Sequence, residues 1–140
     1  MRLYIFLFTL LFSQSARSAA MAPDEKILLV RVNDIGLITV GRDTVGSDQL
    51  ARYIQERLFK SYLGTGKMYD RIMFESQGDQ VPAEVANAVI GEIRDGQNKA
   101  LQELCLQKFE RTFEMLDKRK KDRLRKQFPV LFQEQFIQNT

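Results

Sequence analysis

The chain has 140 residues, 44% of them hydrophobic and 28% charged, and its formal net charge is +3. This length suits one domain with one hydrophobic core and excludes a second domain of similar size. The chain has no histidine, and Cys105 is its one cysteine. Ser-His and Cys-His nucleophile pairs and intramolecular disulfides are therefore excluded.

The N-terminal residues 1–20 are predicted to be a secretory signal peptide. Arg2 supplies a positive charge, Leu3 to Phe12 form an apolar run, and small residues end at Ala20. A transmembrane helix needs roughly 20 apolar residues, so this run is too short to span a bilayer. We expect cleavage between Ala20 and Met21 and export to the periplasm. The alternatives are a buried helix of a cytosolic domain and a short, uncleaved signal anchor associated with the inner membrane.

Two β-type runs follow, at Ile27–Val32 and Leu37–Val40. The sequence NDIG between them predicts a β-hairpin, with Gly36 at a position of positive φ. A polar connection, framed by glycines at 41 and 46, is then expected to lead to Ser47. Ser47 is predicted to be the N-cap of a helix, because its hydroxyl can accept a hydrogen bond from the first turn.

An amphipathic helix is predicted from residue 48, ending at the glycines of 64–66. Its apolar stripe is Leu50, Ala51, Ile54, Leu58, Phe59, Tyr62 and Leu63. A third strand is predicted over RIMFE, residues 71–75, followed by a polar turn. Pro82 suits the first turn of a second helix, which we expect to continue through Gly91 and Gly96 to about residue 109.

The last elements predicted are a short helix over Lys118–Gln127, capped by Asp117 and stopped by Pro129, and an extended segment over Val130–Phe136. The whole pattern predicts an α+β fold, a small two-layer domain with amphipathic helices on one face of a short β-sheet. The predicted core is Leu28, Val30, Ile38, Val40, Leu50, Ile54, Leu58, Ile72, Phe74, Val85, Val89 and Ile93. Cys105 is expected to be a small buried hydrophobe, the alternatives being an intermolecular disulfide or a reactive thiol.

No phosphate-binding glycine loop and no metal-ligand spacing such as CxxC or HExxH occurs in the sequence. The carboxylates are scattered, with no spacing that indicates a coupled acid pair. We therefore expect no catalytic residue, no metal, no cofactor and no enzymatic activity.

The order of these elements resembles the periplasmic domain of the ExbD/TolR family of biopolymer transport proteins. The resemblance covers residues 27 to about 96, with Asp34, Gly36, Gly41 and Val45 in a hairpin similar to the family's D-G-x-I-x-L-x-G-x-x-V pattern. Leu50 and Leu58 follow in the helix, and Ser76, Gly78 and Asp79 stand in the small acidic loop. The resemblance divides the chain into an ExbD/TolR-like domain at 21–109 and a basic helical C-terminal extension at 110–140.

The resemblance implies a non-enzymatic subunit of a complex that is driven by the proton-motive force. Its partners would be an ExbB/TolQ-like channel protein and a TonB/TolA-like transducer. The predicted export signal leads us to expect no nucleic acid partner, because little nucleic acid is present at that destination. The resemblance also implies a homodimer that engages the transducer by strand addition, for which the candidate strand is Leu37, Ile38, Thr39 and Val40. The family's proton-carrying aspartate lies in a membrane helix and has no match before Asp24, so that role is not carried over.

The alternative function is a freestanding exported module that binds anionic lipid or cell-wall polymer. Residues 111–126 hold eight basic and three acidic residues. Basic side chains on one helix face are attracted to an anionic surface within a Debye length of about 8 to 10 Å. The candidate contacts are Lys118, Lys120, Lys121 and Arg125, and the simpler explanation of this run is a solvated helix face.

Overall fold

The computed structural model describes residues 25–78 and 80–137. They form an α+β domain in which helices cover one face of a four-stranded sheet, as the sequence predicts. The strands are β1 (Ile27–Val32), β2 (Ile38–Val40), β3 (Asp43–Val45) and β4 (Arg71–Ser76), and the helices are α1 (Leu50–Thr65), α2 (Ala83–Phe109) and α3 (Lys118–Gln127).

The sheet has the strand order β3-β2-β1-β4. Its first three strands are antiparallel neighbours, while β1 and β4 are parallel, with Leu28 opposite Ile72 and Val30 opposite Phe74. The parallel pair requires a crossover, and α1 provides it between β3 and β4. The predicted hairpin turn is present, with Gly36 at φ 82°.

β3 is not predicted from the sequence, which indicates only a polar connection over residues 42–45. Two residues, Gly41 and Arg42, join β2 to β3, and Val40 pairs with Asp43. A glycine at the first position of a two-residue loop, here at φ 61°, favours the tight turn of such a hairpin. Only Val45 of this strand is buried, so its composition resembles that of a loop.

The predicted start of α1 is wrong by about two residues. The Gln49 N–H donates to the Gly46 carbonyl at 3.0 Å, which closes a turn around Ser47 and Asp48. The helix therefore begins at Leu50 with Gln49 as N-cap, and no side chain caps it. It ends, as predicted, at a left-handed glycine, Gly66.

The hydrophobic core lies between the sheet and the helices. Every predicted core residue is buried except Val85, which is half-buried and packs against the core. Leu63 was expected in the buried stripe of α1, but it is 55% exposed. Gly96 is buried where α2 crosses α1, and Gly91 is exposed on the same helix. Both glycines lie within α2, as predicted.

The C-terminal residues share this core rather than forming one of their own. Leu116, Leu124, Phe128, Val130 and Phe136 are buried in the same cluster as the strands. The boundary predicted at residues 109 and 110 coincides with the end of α2, where Glu110 adopts a left-handed conformation at φ 57°. This boundary is therefore the end of a helix within one hydrophobic core.

Residues after α3 differ in part from the predicted extended segment. Pro129–Phe132 form a single turn of 3-10 helix, and extended backbone is found only after it, at Gln133. α3 itself has the predicted bounds and cap, because the Lys120 N–H donates to the Asp117 carboxylate at 2.9 Å.

Candidate interaction surfaces

The strand proposed for partner binding does not lie at an edge of the sheet. β2 pairs with β1 on one side and with β3 on the other, so Ile38, Thr39 and Val40 have no free edge for an added strand. Leu37 precedes β2 and is 44% exposed. The prediction of strand addition through β2 is therefore wrong, because β3 occupies the outer side of β2. The predicted cleavage site, Ala20 and Met21, lies outside the described residues.

The β4 edge of the sheet is covered by the C-terminal segment, residues 133–137. The Gln133 side chain binds the Ile72 backbone twice: its Oε1 accepts from the Ile72 N–H at 2.8 Å, and its Nε2 donates to the Ile72 carbonyl at 2.7 Å. Two residues further along β4, the Phe74 N–H donates to the Phe136 carbonyl at 2.9 Å. Ile137 forms a parallel bridge with Phe74. The C-terminal segment thus supplies the partners that a fifth strand would supply.

Gln97 of α2 holds the beginning of this segment. It is a buried polar residue, 4% exposed, and its Nε2 lies within hydrogen-bond distance of the Val130 carbonyl at 2.8 Å and the Gln133 carbonyl at 3.1 Å. The sequence contains a signal for this role, because Gln97 lies four residues after Ile93 and four before Leu101, on the buried stripe of α2. A polar side chain on a buried stripe indicates a buried hydrogen bond.

The opposite edge, that of β3, has no strand beside it among residues 25–78 and 80–137. Asp43 and Thr44 are exposed there. The Tyr53 hydroxyl of α1 donates a hydrogen bond to the Asp43 carboxylate. Burial, and then this hydrogen bond, raise the pKa of Tyr53 above its ordinary value, so the hydroxyl stays protonated and keeps α1 joined to the strand.

The four basic residues proposed for anionic surfaces do not act as one group. Three basic residues of α3 lie over aromatic rings: Lys120 is 5.4 Å from the Phe109 ring centre, and Lys121 is 5.3 Å from that of Phe113. Arg125 lies 5.6 Å from the rings of both Phe113 and Phe132. We call Lys120, Lys121 and Arg125 the ring-stacked cations. Such contacts stabilise the fold by about 0.5–1 kcal/mol each at exposed sites.

The remaining basic residues of α3 face solvent, on the side of the helix away from the buried Leu124. These outer cations are Lys118, Arg119, Arg123 and Lys126. All are exposed, and within the described parts of the chain none of them forms an ion pair. Of the predicted contacts, only Lys118 belongs to this group. The sequence contains a signal for the other three. If Leu124 faces the core, the helical period places Arg119, Arg123 and Lys126 on the solvent side of α3.

Cys105 is fully buried in the core and is a free thiol. Burial raises the pKa of the Cys105 thiol, and the charge of Glu114 contributes in the same direction. A buried thiol with a raised pKa is a poor nucleophile, which agrees with its expected packing role.

Two further properties hold for the described part of the chain. No group of three or more His, Cys, Asp or Glu side chains is arranged to hold a metal ion there. None of the described helices combines the length and apolar character needed to cross a membrane.

The fold and these surfaces define a small α+β domain. One sheet edge is covered by the C-terminal segment, and the other has no strand beside it within residues 25–78 and 80–137. A scan against protein-family models finds no match to the chain, and a search of curated proteins finds no significant relative.

Proposed function

We propose that the protein is a non-enzymatic, ExbD/TolR-like subunit of an energy-transducing complex that is driven by the proton-motive force. In this proposal the domain lies in the periplasm beside an ExbB/TolQ-like channel protein and acts on a TonB/TolA-like transducer. The observation that supports it most directly is the asymmetry of the sheet: the β4 edge is covered, whereas no strand of the described part of the chain pairs with the β3 edge. An open edge can pair with an extended segment of a transducer or with a second copy of the chain.

The backbone of β3 is suited to this pairing at Thr44. Val40 and Asp43 close the two-residue hairpin, so the Asp43 N–H is directed toward the Val40 carbonyl. Because backbone groups alternate along an antiparallel pair, the N–H and C=O of Thr44 point away from β2. A three-residue edge offers few such groups, and each hydrogen bond contributes about 0.5–1.5 kcal/mol net. The contact is therefore weak by itself and suits a partner that binds and leaves.

The test replaces Thr44 with proline, which has no N–H and is tolerated at an outward-facing position of an edge strand. Thr44→Val is the matched control, because it keeps the N–H and the β-branched shape. We expect the channel-like and transducer-like proteins to co-purify from membranes with the unchanged protein and with Thr44→Val. The channel-like protein should still co-purify with Thr44→Pro, while recovery of the transducer-like protein falls.

Thermal melts of all three proteins show whether the variants remain folded. Equal recovery of the transducer-like protein with Thr44→Pro and Thr44→Val, both folded, would exclude the β3 edge as its binding site. Recovery of neither protein with the unchanged chain would contradict the proposed complex itself.

A second candidate function is docking to an anionic surface through the outer cations. The observation that favours it is that these cations are exposed on one side of α3 and have no acidic partner among the described residues. Each can contribute about 1 kcal/mol near an anionic membrane. The test measures co-sedimentation with phosphatidylcholine vesicles, with and without phosphatidylglycerol. If the unchanged protein does not bind the anionic vesicles at low salt, this function is excluded.

A further inference from the structure

A groove of about 610 Å³ opens between the hairpin turn, the start of α1 and the first half of α2. The floor of the groove consists of the buried residues Ile38, Leu50 and Val89. Its wall is formed by α2, where Val85 is half-buried and Ala88 is exposed. The groove thus has a buried apolar floor, and its apolar wall is partly accessible to solvent.

The rim of this groove is acidic. Asp48, Glu84 and Glu92 line it, and no lysine or arginine among the described residues does. Asp48 and Glu84 lie at or near helix N-termini, where a carboxylate interacts favourably with the helix dipole. Glu92 lies well inside α2, so the dipole does not explain its position. Within residues 25–78 and 80–137, none of these carboxylates forms an ion pair.

Exposed apolar side chains also stand on the hairpin turn beside the groove. Ile35 is 82% exposed and Leu37 is 44% exposed, on either side of Gly36, which lines the groove. This surface therefore combines apolar side chains with an acidic rim. It is complementary to a ligand that is both apolar and basic.

We propose that this groove binds a segment of a partner protein in which an apolar side chain is flanked by lysine or arginine. The apolar side chain would lie on the floor, removed from water, and the cations would pair with the rim carboxylates. The exposed face of α3 in a second copy does not fit, because its apolar residue, Leu124, is already buried. An anionic ligand does not fit either, because it would meet the three carboxylates.

This inference is independent of the proposed function, since no residue of β3 lines the groove. The probe is a short fluorescein-labelled peptide, Gly-Lys-Lys-Leu-Lys-Lys-Gly, with binding followed by fluorescence anisotropy at low salt. Two control peptides replace either the leucine with serine or the lysines with glutamine. We expect both control peptides to bind more weakly than the probe, and added salt to weaken the binding of the probe.

Protein variants then locate the site. Removing two rim carboxylates, in Glu84→Gln with Glu92→Gln, should weaken binding of the probe by about 3- to 10-fold, as expected for two exposed ion pairs. The matched control is Glu56→Gln with Glu103→Gln, which changes the net charge equally but lies outside the groove. Ala88→Arg places a bulky cation at an exposed position of the wall and should abolish binding.

Circular dichroism confirms that each variant keeps its fold before binding is measured. The proposal is overturned if the probe does not bind the unchanged protein. It is equally overturned if the rim double variant and its control double variant weaken binding of the probe to the same extent. Normal binding of the probe by folded Ala88→Arg would also overturn it.

Discussion

Replacing Gly96 with alanine tests how closely α1 and α2 pack. A Cβ atom added at Gly96 would stand 2.7 Å from the Ala51 carbonyl oxygen and 2.9 Å from both Cβ and Cγ2 of Ile54. These distances are too short for non-bonded contact, and the nearest atom belongs to helix backbone, which cannot turn aside as a flexible side chain can. The helices would have to separate, and overpacking of this kind costs typically about 1–3 kcal/mol.

Gly91 is the matched control because it lies in the same helix with nothing within 4 Å of an added Cβ. There, alanine should stabilise the protein by about 0.5–1 kcal/mol, since glycine is a poor helix former. Urea unfolding at equilibrium measures both changes in the free energy of unfolding. We expect Gly91→Ala to raise it and Gly96→Ala to lower it. If Gly96→Ala stabilises the protein as much as Gly91→Ala does, the close approach of the two helices at this glycine is refuted.

Three further predictions concern the core, the C-terminal helix and the thiol. Ile54→Ala should lower the free energy of unfolding by about 2–5 kcal/mol in urea melts, because Ile54 is fully buried; a loss below about 0.5 kcal/mol would remove this face of α1 from the core. Replacing the ring-stacked cations with glutamine should lower the free energy of unfolding by about 0.5–1 kcal/mol per contact. The same change at the outer cations should have little effect on it. Equal effects of the two sets of substitutions would contradict the stacking. Because burial raises the pKa of Cys105, the unfolded thiol ionises first as the pH rises. Stability should therefore fall more steeply in the unchanged protein than in Cys105→Ala as the pH rises above the ordinary pKa of a cysteine thiol, about 8.5. Parallel pH profiles would contradict the burial of the thiol.

The long periodic elements could be predicted from the sequence, because their patterns repeat over enough residues. β1 alternates buried and half-buried residues along its whole length, and α1 presents Leu50, Ile54 and Leu58 at helical spacing. The caps at Gly66 and Asp117 were predictable for a local reason, since each depends only on residues in the adjoining turn.

β3 could not be predicted in the same way. A three-residue edge strand with one buried side chain carries almost no periodic signal, and its existence depends on pairing with β2. The prediction of β2 as the partner-binding strand is wrong for the same reason. β2 would be an edge strand only if no other strand paired with its outer side, and β3 pairs there.

The contacts of the C-terminal residues depend on positions far apart in the chain. Gln133 binds Ile72 across 61 residues, and the ring-stacked cations depend on where Phe113 and Phe132 meet beside α3. The sequence shows that the basic run is cationic. It does not show which cations pack on rings and which face solvent.

The most direct test of the proposed function is site-specific photocrosslinking in the source cell, with a photoreactive amino acid in place of Thr44. The same amino acid in place of Lys99, an exposed residue of α2, is the control, and mass spectrometry identifies the crosslinked proteins. We predict that position 44 crosslinks to an extended segment of a TonB/TolA-like transducer or to Thr44 and its neighbours in a second copy of the chain, and that position 99 does not. Crosslinks from position 44 that match those from position 99, or no crosslink from a folded and exported protein, would contradict the proposal that the open β3 edge is where this domain meets its partner.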